Sequence, residues 1–443
     1  MNCSTSADLA AYTLRDISRL FLTFTVMVIV TASFAGAYGA LTGNAFLNKV
    51  HPYIFFTGFG NAAILLLNRY LTASIFPELR IDPLRQRLYL IAVLTALILV
   101  TLSILFDMPL LKAAAGLLMM VVVIQPLWEI LTTLPFAEIW RNVSGRYYIF
   151  DVIFLLNANL GLCTLGLKEA FPSNGIIPFF VTKSAYFLGS SFPLSISVMG
   201  FLYTYAWRQT AKMELARKLF SVWFNIFVGG VLFFLVVILM GNYLSMMLIS
   251  HLLTFGVITL LITFAVFLYN YFKNNFAHPA LAFLLGGLAF LLATSSFGIL
   301  NIYFGKGILF GSYPPIMADK MWNYHSHTHA ALLGWITLSF TGMIYIVIPA
   351  IQNRGTLELL QSGDPLAQLL DHSSMSRAFL QLTVMLLSAS LILVSFYTGD
   401  KVTLGISGIV YTASVFYLRM NLFHDSAIDI RGRLRNPEES PVE

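Results

Sequence analysis

Residues 321–349 read MWNYHSHTHAALLGWITLSFTGMIYIVIP. His325, His327 and His329 alternate with Ser326 and Thr328, and residues 330–350 then run without a single charge. A membrane span needs about 20 predominantly apolar residues, so this stretch reads as a transmembrane helix with histidines at one end. Ionisable groups placed at membrane depth are costly and tend to be functional.

The rest of the chain has the same character. Of its 443 residues, 58% are hydrophobic and only 10% charged, and the mean hydropathy is +0.80. These values imply an all-α polytopic membrane protein rather than a soluble domain. Twelve apolar segments are expected, near 17–40, 50–75, 86–107, 110–134, 148–170, 180–206, 217–240, 243–272, 278–304, 323–350, 377–398 and 401–422. Polar loops between them are short, so residues 1–443 are expected to form a single integral-membrane domain with short tails, among them the acidic NPEESPVE. The first apolar segment is long and lacks a small-residue cleavage site, so no cleavable signal peptide is expected. Cys3 and Cys163 make neither a disulfide framework nor a metal motif.

Charge gives the orientation. All sixteen arginines fall on one side of these segments, whereas seven of the ten lysines, including Lys49, Lys112, Lys306 and Lys401, fall on the other. The positive-inside rule makes both termini cytoplasmic and turns the histidine end of segment ten outward. The net charge of +6 is thus a topology signal and not a nucleic-acid footprint.

Five of the eight histidines, His51, His251, His325, His327 and His329, fall near the outer ends of segments two, eight and ten. His278, His372 and His424 fall at inner boundaries or loops and read as solvated. At about 100° per residue, His327 and His329 diverge by about 200°, while His325 and His329 lie within about 40° of each other. One metal ion would use the 325/329 pair, as in i, i+4 zinc motifs; two cofactors flanking the helix would use 327 and 329. Segment two, HPYIFFTGFGNAAILLL, starts at His51 and carries Gly58 and Gly60 below it. Small residues there serve helix packing, or let a flat macrocycle lie close to the backbone. With His51 at the depth of His329, a bis-histidine haem between segments two and ten becomes attractive.

HTHAALLGWITLSFTGMIYIVIP resembles helix ten of the haem-copper oxidase superfamily, especially cbb-type oxidases and nitric oxide reductases. The matching residues are His327, His329, Gly334, Trp335, Gly342, Tyr345 and Pro349, with His51, Phe59 and Gly60 in segment two. The resemblance implies a twelve-helix bundle like the catalytic subunit I. It implies His51 and His329 as axial ligands of a low-spin haem b, His327 as proximal ligand of a second, high-spin haem, and Trp335 and Gly60 beside the haems. It gives His325 no role, which leaves a surface histidine at the helix entrance.

The sequence also departs from that family. No histidine lies between His51 and His251, and Ser190 stands where segment six should offer a metal ligand. Segment seven offers only Asn225, and segments six and nine carry no acid, so copper is not expected. His251 is the one candidate replacement ligand, against a core histidine bonded to a carbonyl or polar neighbour.

The expected function is a membrane haem b protein in electron transfer or diatomic-gas chemistry (O2 or NO) within a respiratory complex. Its partners would be a cytochrome c-type or other redox subunit, or quinol, in a prokaryotic inner membrane. Any enzyme activity would be an oxidoreductase's. The alternatives are a divergent nitric oxide reductase or terminal oxidase with a reorganised metal site, and a haem-free transition-metal transporter.

Gln125, Glu129, Asp151, Asn157 and Asn159 form a further polar set in segments four and five, read as a structural cluster between them or as a proton-input path. Trp207, Trp322 and Tyr324 read as interface-belt residues, Lys183 as snorkelling, and Arg419 and Asn421 as cytoplasmic anchors.

Overall fold

A computed structural model describes residues 6–177, 181–206, 213–239, 243–274, 278–305, 321–354 and 369–423. Lys306, Trp207, His424, Cys3 and the acidic tail lie outside them. The chain is an all-α membrane protein in contact with the lipid bilayer. Its long helices are α1 (Ser6–Thr42), α2 (Ala45–Ile75), α3 (Pro83–Leu105), α4 (Pro109–Thr133), α5 (Val143–Ala170) and α6 (Lys183–Phe201). They continue with α7 (Glu214–Val237), α8 (Tyr243–Asn274), α9 (Pro279–Gly305), α10 (Trp322–Gln352), α11 (His372–Thr398) and α12 (Lys401–Phe423). Among the described residues eleven helices are long and apolar enough to cross a membrane. The sixth expected segment carries α6, prolonged by Leu202–Ala206, which is not one of those eleven.

Local chemistry sets the helix starts. Asn44, Asp82, Asn142 and Asp371 each accept a backbone N–H of the first turn of α2, α3, α5 and α11. Pro83 and Pro109 open α3 and α4, where a missing N–H costs nothing. Gly399, at φ 72°, ends α11 in the left-handed region that a glycine enters without strain, and Asp400 caps α12 directly after it.

Two helices form the centre. In their most apolar stretches α2 is 89% buried and α10 83%, against 28% for α8 and 33% for α3. The histidine-bearing helices are therefore surrounded by the others, which turn one face to lipid. Small residues set the closest approaches. A Cβ at Gly116 would collide with the backbone of Asn159 and Cys163, and one at Gly166 with that of Pro109 and Ala113, so α4 and α5 meet backbone to backbone. Gly58 serves packing in the same way: a Cβ there would stand 2.6 Å from Val28 on α1.

Both central helices widen to π geometry directly below their histidines, over Ile54–Gly60 and Ala63–Asn68 in α2 and over Ala330–Thr337 in α10. Widening disturbs the usual i→i−4 ladder, and inside a membrane every freed carbonyl must find a partner. Thr337 Oγ1 donates to Leu332 O at 2.7 Å, and Tyr411 of α12 donates to Leu333 O at 2.6 Å.

The expected polar cluster between α4 and α5 is not what the structure contains. Glu129 of α4 binds Arg69 of α2 at 2.5 Å and Arg85 of α3 at 3.1 Å, and Gln125 accepts from Tyr89 of α3. Asp151 and Asn159 of α5 bond instead to α2 and α6. These polar groups turn to the seams on either side, whereas Lys112 and Glu169 pair across α4 and α5 near their other ends. His278 is also corrected, because it is fully buried rather than solvated, with Nδ1 accepting from Ala280 N and starting α9. His372 is exposed, as expected. Asn421 is buried, donating to Tyr345 Oη at 2.9 Å and Ser374 O at 3.0 Å, and so ties α12 to α10 and α11.

Candidate haem-binding cavity

His51 leaves α2 one turn before its first widened segment, and His329 leaves α10 immediately before its own. Their ring centres are 6.5 Å apart, with the planes 34° from parallel. An imidazole nitrogen ligates a metal at about 2 Å and lies about 1 Å from its ring centre, so two axial histidines on one ion stand roughly 6 Å apart. The observed pair has that spacing.

The other ring nitrogens are spoken for. His51 Nδ1 bonds Leu47 O at 3.3 Å, His329 Nδ1 bonds His325 O at 2.8 Å, and His327 Nδ1 bonds Thr294 O of α9 at 2.8 Å. A carbonyl oxygen only accepts, so each Nδ1 carries the proton and each Nε2 keeps a lone pair for a ligand. Anchoring of the second nitrogen is the usual device for orienting metal-bound histidines.

All three histidines line one cavity of about 1940 Å³. That is about twice the upper end for ordinary small-molecule sites, and the wall is mostly apolar by area, with serine, threonine, asparagine and tyrosine side chains among its lining residues. The helical divergence expected for His327 and His329 is present. His329 turns towards His51 and Phe396, whose ring centre is 4.6 Å away, while His327 turns to α9. Glycines make room for two of the rings. A Cβ at Gly36 of α1 would lie 3.1 Å from His51 Cδ2, and one at Gly298 of α9 would lie 3.1 Å from His327 Cε1.

Trp335 lines the same cavity, buried, and donates to Ser195 of α6 at 3.0 Å. His325 lines the rim, stacked on Phe396 at 5.3 Å and 6.4 Å from His329. Among the described residues no three His, Cys, Asp or Glu side chains converge at metal-ion range.

Other expected site residues stand elsewhere. His251 is exposed and outside the cavity lining, with Nδ1 bonded to Met247 O at 2.7 Å and Nε2 facing Tyr303 Oη at 3.3 Å. Gly60 and Ser190 border a separate void of about 10 Å³ with Asn61 and Asn159, whereas Gly189 and Ser191 face the large cavity. Asn225 starts a π-helical turn of α7 and is not a lining residue.

Gly36, Thr294, Gly298, Phe396 and Ser195 are site residues that the sequence does not single out. Thr294 acts through its backbone carbonyl, which no side-chain pattern advertises. Gly36 stands in a run of small residues, FAGAYGA, which signals close packing without naming its partner.

No protein-family model matches the chain, and no curated protein is detectably similar to it.

Proposed function

We propose that this chain is a membrane-embedded b-type haem protein of the haem-copper oxidase subunit I kind, with His51 and His329 as the axial pair. The single observation that carries the reading is that pair: ring centres 6.5 Å apart, both Nδ1 atoms held by carbonyls, both rings on one apolar cavity. His327, on the opposite side of α10 and held by Thr294, suits the proximal ligand of a second haem in the same cavity. Haem bound there would supply one-electron chemistry, and a diatomic-gas position where the iron keeps an open site. The protein's share is to fix the imidazole tautomers and enclose the macrocycles in apolar surface. Such a site suits electron transfer or O2/NO chemistry in a respiratory complex, with a c-type cytochrome subunit or quinol as donor.

The test is the reduced-minus-oxidised spectrum of the purified full chain. Sharp b-type bands are expected, lost in His51→Ala and in His329→Ala. His327→Ala is expected to keep them and to lose only a carbon-monoxide-reactive species. A wild-type protein without haem bands, or equal loss from His325→Ala, overturns the assignment.

A further inference from the structure

The seam between α1 and α12 changes character along its length. At its lysine end a Cβ at Gly405 would lie 2.8 Å from Leu41 Cβ, and one at Gly408 would lie 2.6 Å from Ala37 Cβ, so the two helices run close. At its arginine end the seam sets Arg19 and Thr23 of α1, one turn apart, against Phe423 and Arg419 of α12, also one turn apart. Arg19 Nε donates to Gln352 Oε1 at 2.9 Å, and its guanidinium carbon stands 5.6 Å from the Phe423 ring centre. Gln352 is held in turn, donating to Arg15 O at 3.0 Å and to Ser18 Oγ at 2.8 Å. Arg419 Nε donates to Thr23 Oγ1 at 3.0 Å.

Each guanidinium is thus clamped through Nε by a neutral acceptor, which orients it without cancelling its charge. Among the described residues no carboxylate lies within ion-pair distance of Arg19 or Arg419, and their Nη atoms make no hydrogen bond. Asp16, the neighbouring acid on α1, is committed to Arg87 of α3 at 3.0 Å. Both arginines are half-buried, and their positions on the seam differ by about one helical turn. Two like charges so placed call for a shared anion, and the guanidinium fork matches phosphate oxygens two at a time. Towards the membrane centre the same helices expose Phe416 of α12, about one turn from Arg419, and Met27 of α1, about two turns from Arg19.

We infer that the arginine end of the α1–α12 seam is a binding site for an anionic phospholipid. The phosphate oxygens take the Nη donors of Arg19 and Arg419, and the acyl chains lie along Met27 and Phe416. Basic pockets between transmembrane helices hold lipid head groups through the same charge complementarity. The head group supplies the counter-charge that the described acids do not, and it ties the first long helix of the bundle to the last. The site does not depend on which group fills the histidine cavity.

The test is native mass spectrometry of the full chain, delipidated in detergent and titrated with phosphatidylglycerol or phosphatidylcholine. Phosphatidylglycerol is expected to bind about tenfold more tightly, as one charge-assisted hydrogen bond predicts. Arg19→Gln and Arg419→Gln should each remove most of that preference. Arg87→Gln, at an arginine already paired with Asp16, should leave it unchanged. A wild type that binds the two lipids alike overturns the proposal without any variant having to fold. So does an equal loss from Arg87→Gln, which would mark positive charge in general. Displacement of phosphatidylglycerol by equimolar inorganic phosphate also overturns it, since the site would then take a free anion. Asp425 follows Phe423 by two residues and lies outside the described residues. If phosphatidylglycerol binds only in Asp425→Asn, the chain's own acid is the counter-charge and the lipid site is refuted. Because the readout needs no cofactor, lipid preference in a protein without haem bands would keep this site and remove the haem reading.

Discussion

Each histidine of the site is fixed twice, once by its backbone and once by what holds Nδ1, and the second constraint decides what the ring can do. His327 shows this most clearly, since Thr294 O binds one side of the ring and Gly298 leaves space for the other. Gly298→Val is therefore expected to push the imidazole off its position. Spectroscopy should show loss of the carbon-monoxide-reactive species with the bis-histidine bands intact. Trp335→Phe removes the hydrogen bond to Ser195 while keeping the apolar wall. A loss of about 0.5–1.5 kcal/mol in unfolding free energy is expected, the ordinary net worth of one such bond. His251 illustrates the opposite case: with both nitrogens engaged by Met247 and Tyr303, His251→Gln should leave every haem signal unchanged.

Among the helices, stability is concentrated where backbones touch or charges are buried. Gly116→Leu forces bulk into the α4–α5 seam and is expected to cost about 1–3 kcal/mol or more, read from thermal unfolding in detergent. The Arg69–Glu129 pair is nearly buried on the arginine side, 6% exposed, but Glu129 is 24% exposed and keeps Arg85, so Arg69→Leu should cost about 1.5–3 kcal/mol, the worth of one charged hydrogen bond. Arg85→Gln, at an arginine 49% exposed, should cost about 0–1 kcal/mol. The start of α11 gives a pH dependence. Partial burial pushes the Asp371 carboxyl up, but hydrogen bonds from Ser373 and Ser374 outweigh it and hold it below its usual range. A depressed carboxyl stabilises the fold above its ordinary value, and that contribution is lost as the pH falls through the lowered one. Asp371→Ala should cost about 1 kcal/mol at neutral pH, while Asp371→Asn should keep the cap and flatten the acid dependence.

At the scale of the molecule, the central position of α2 and α10 explains why the site is mostly apolar and lies inside the bundle. The outer helices supply lipid-facing surface, and the two inner ones supply histidines and the widened turns beneath them. The arginine and lysine bias predicts the sidedness. A unique cysteine at position 401 should react with a membrane-impermeant thiol reagent added outside, and one at position 217 should react only after permeabilisation, each in a Cys3→Ser, Cys163→Ser background.

Hydropathy alone determined that the chain is a helical membrane protein, because the cost of an unsatisfied backbone in lipid leaves a long apolar run no other form. The divergence of His327 from His329 was equally legible, since helical pitch sets it within a few residues. The pairing of His51 with His329 could be guessed from depth, but their spacing and the carbonyls that lock them are contacts between distant segments. The partners of Asp151 and Glu129 were hidden for the same reason. Sequence places both acids on adjacent helices, whereas the assembled bundle sends Asp151 to α2 and α6 and Glu129 to α2 and α3. Local periodicity and transfer free energy are properties of short stretches, so their consequences are written along the chain. The choice of which surfaces approach closely enough to exclude a side chain is made only once the helices are assembled.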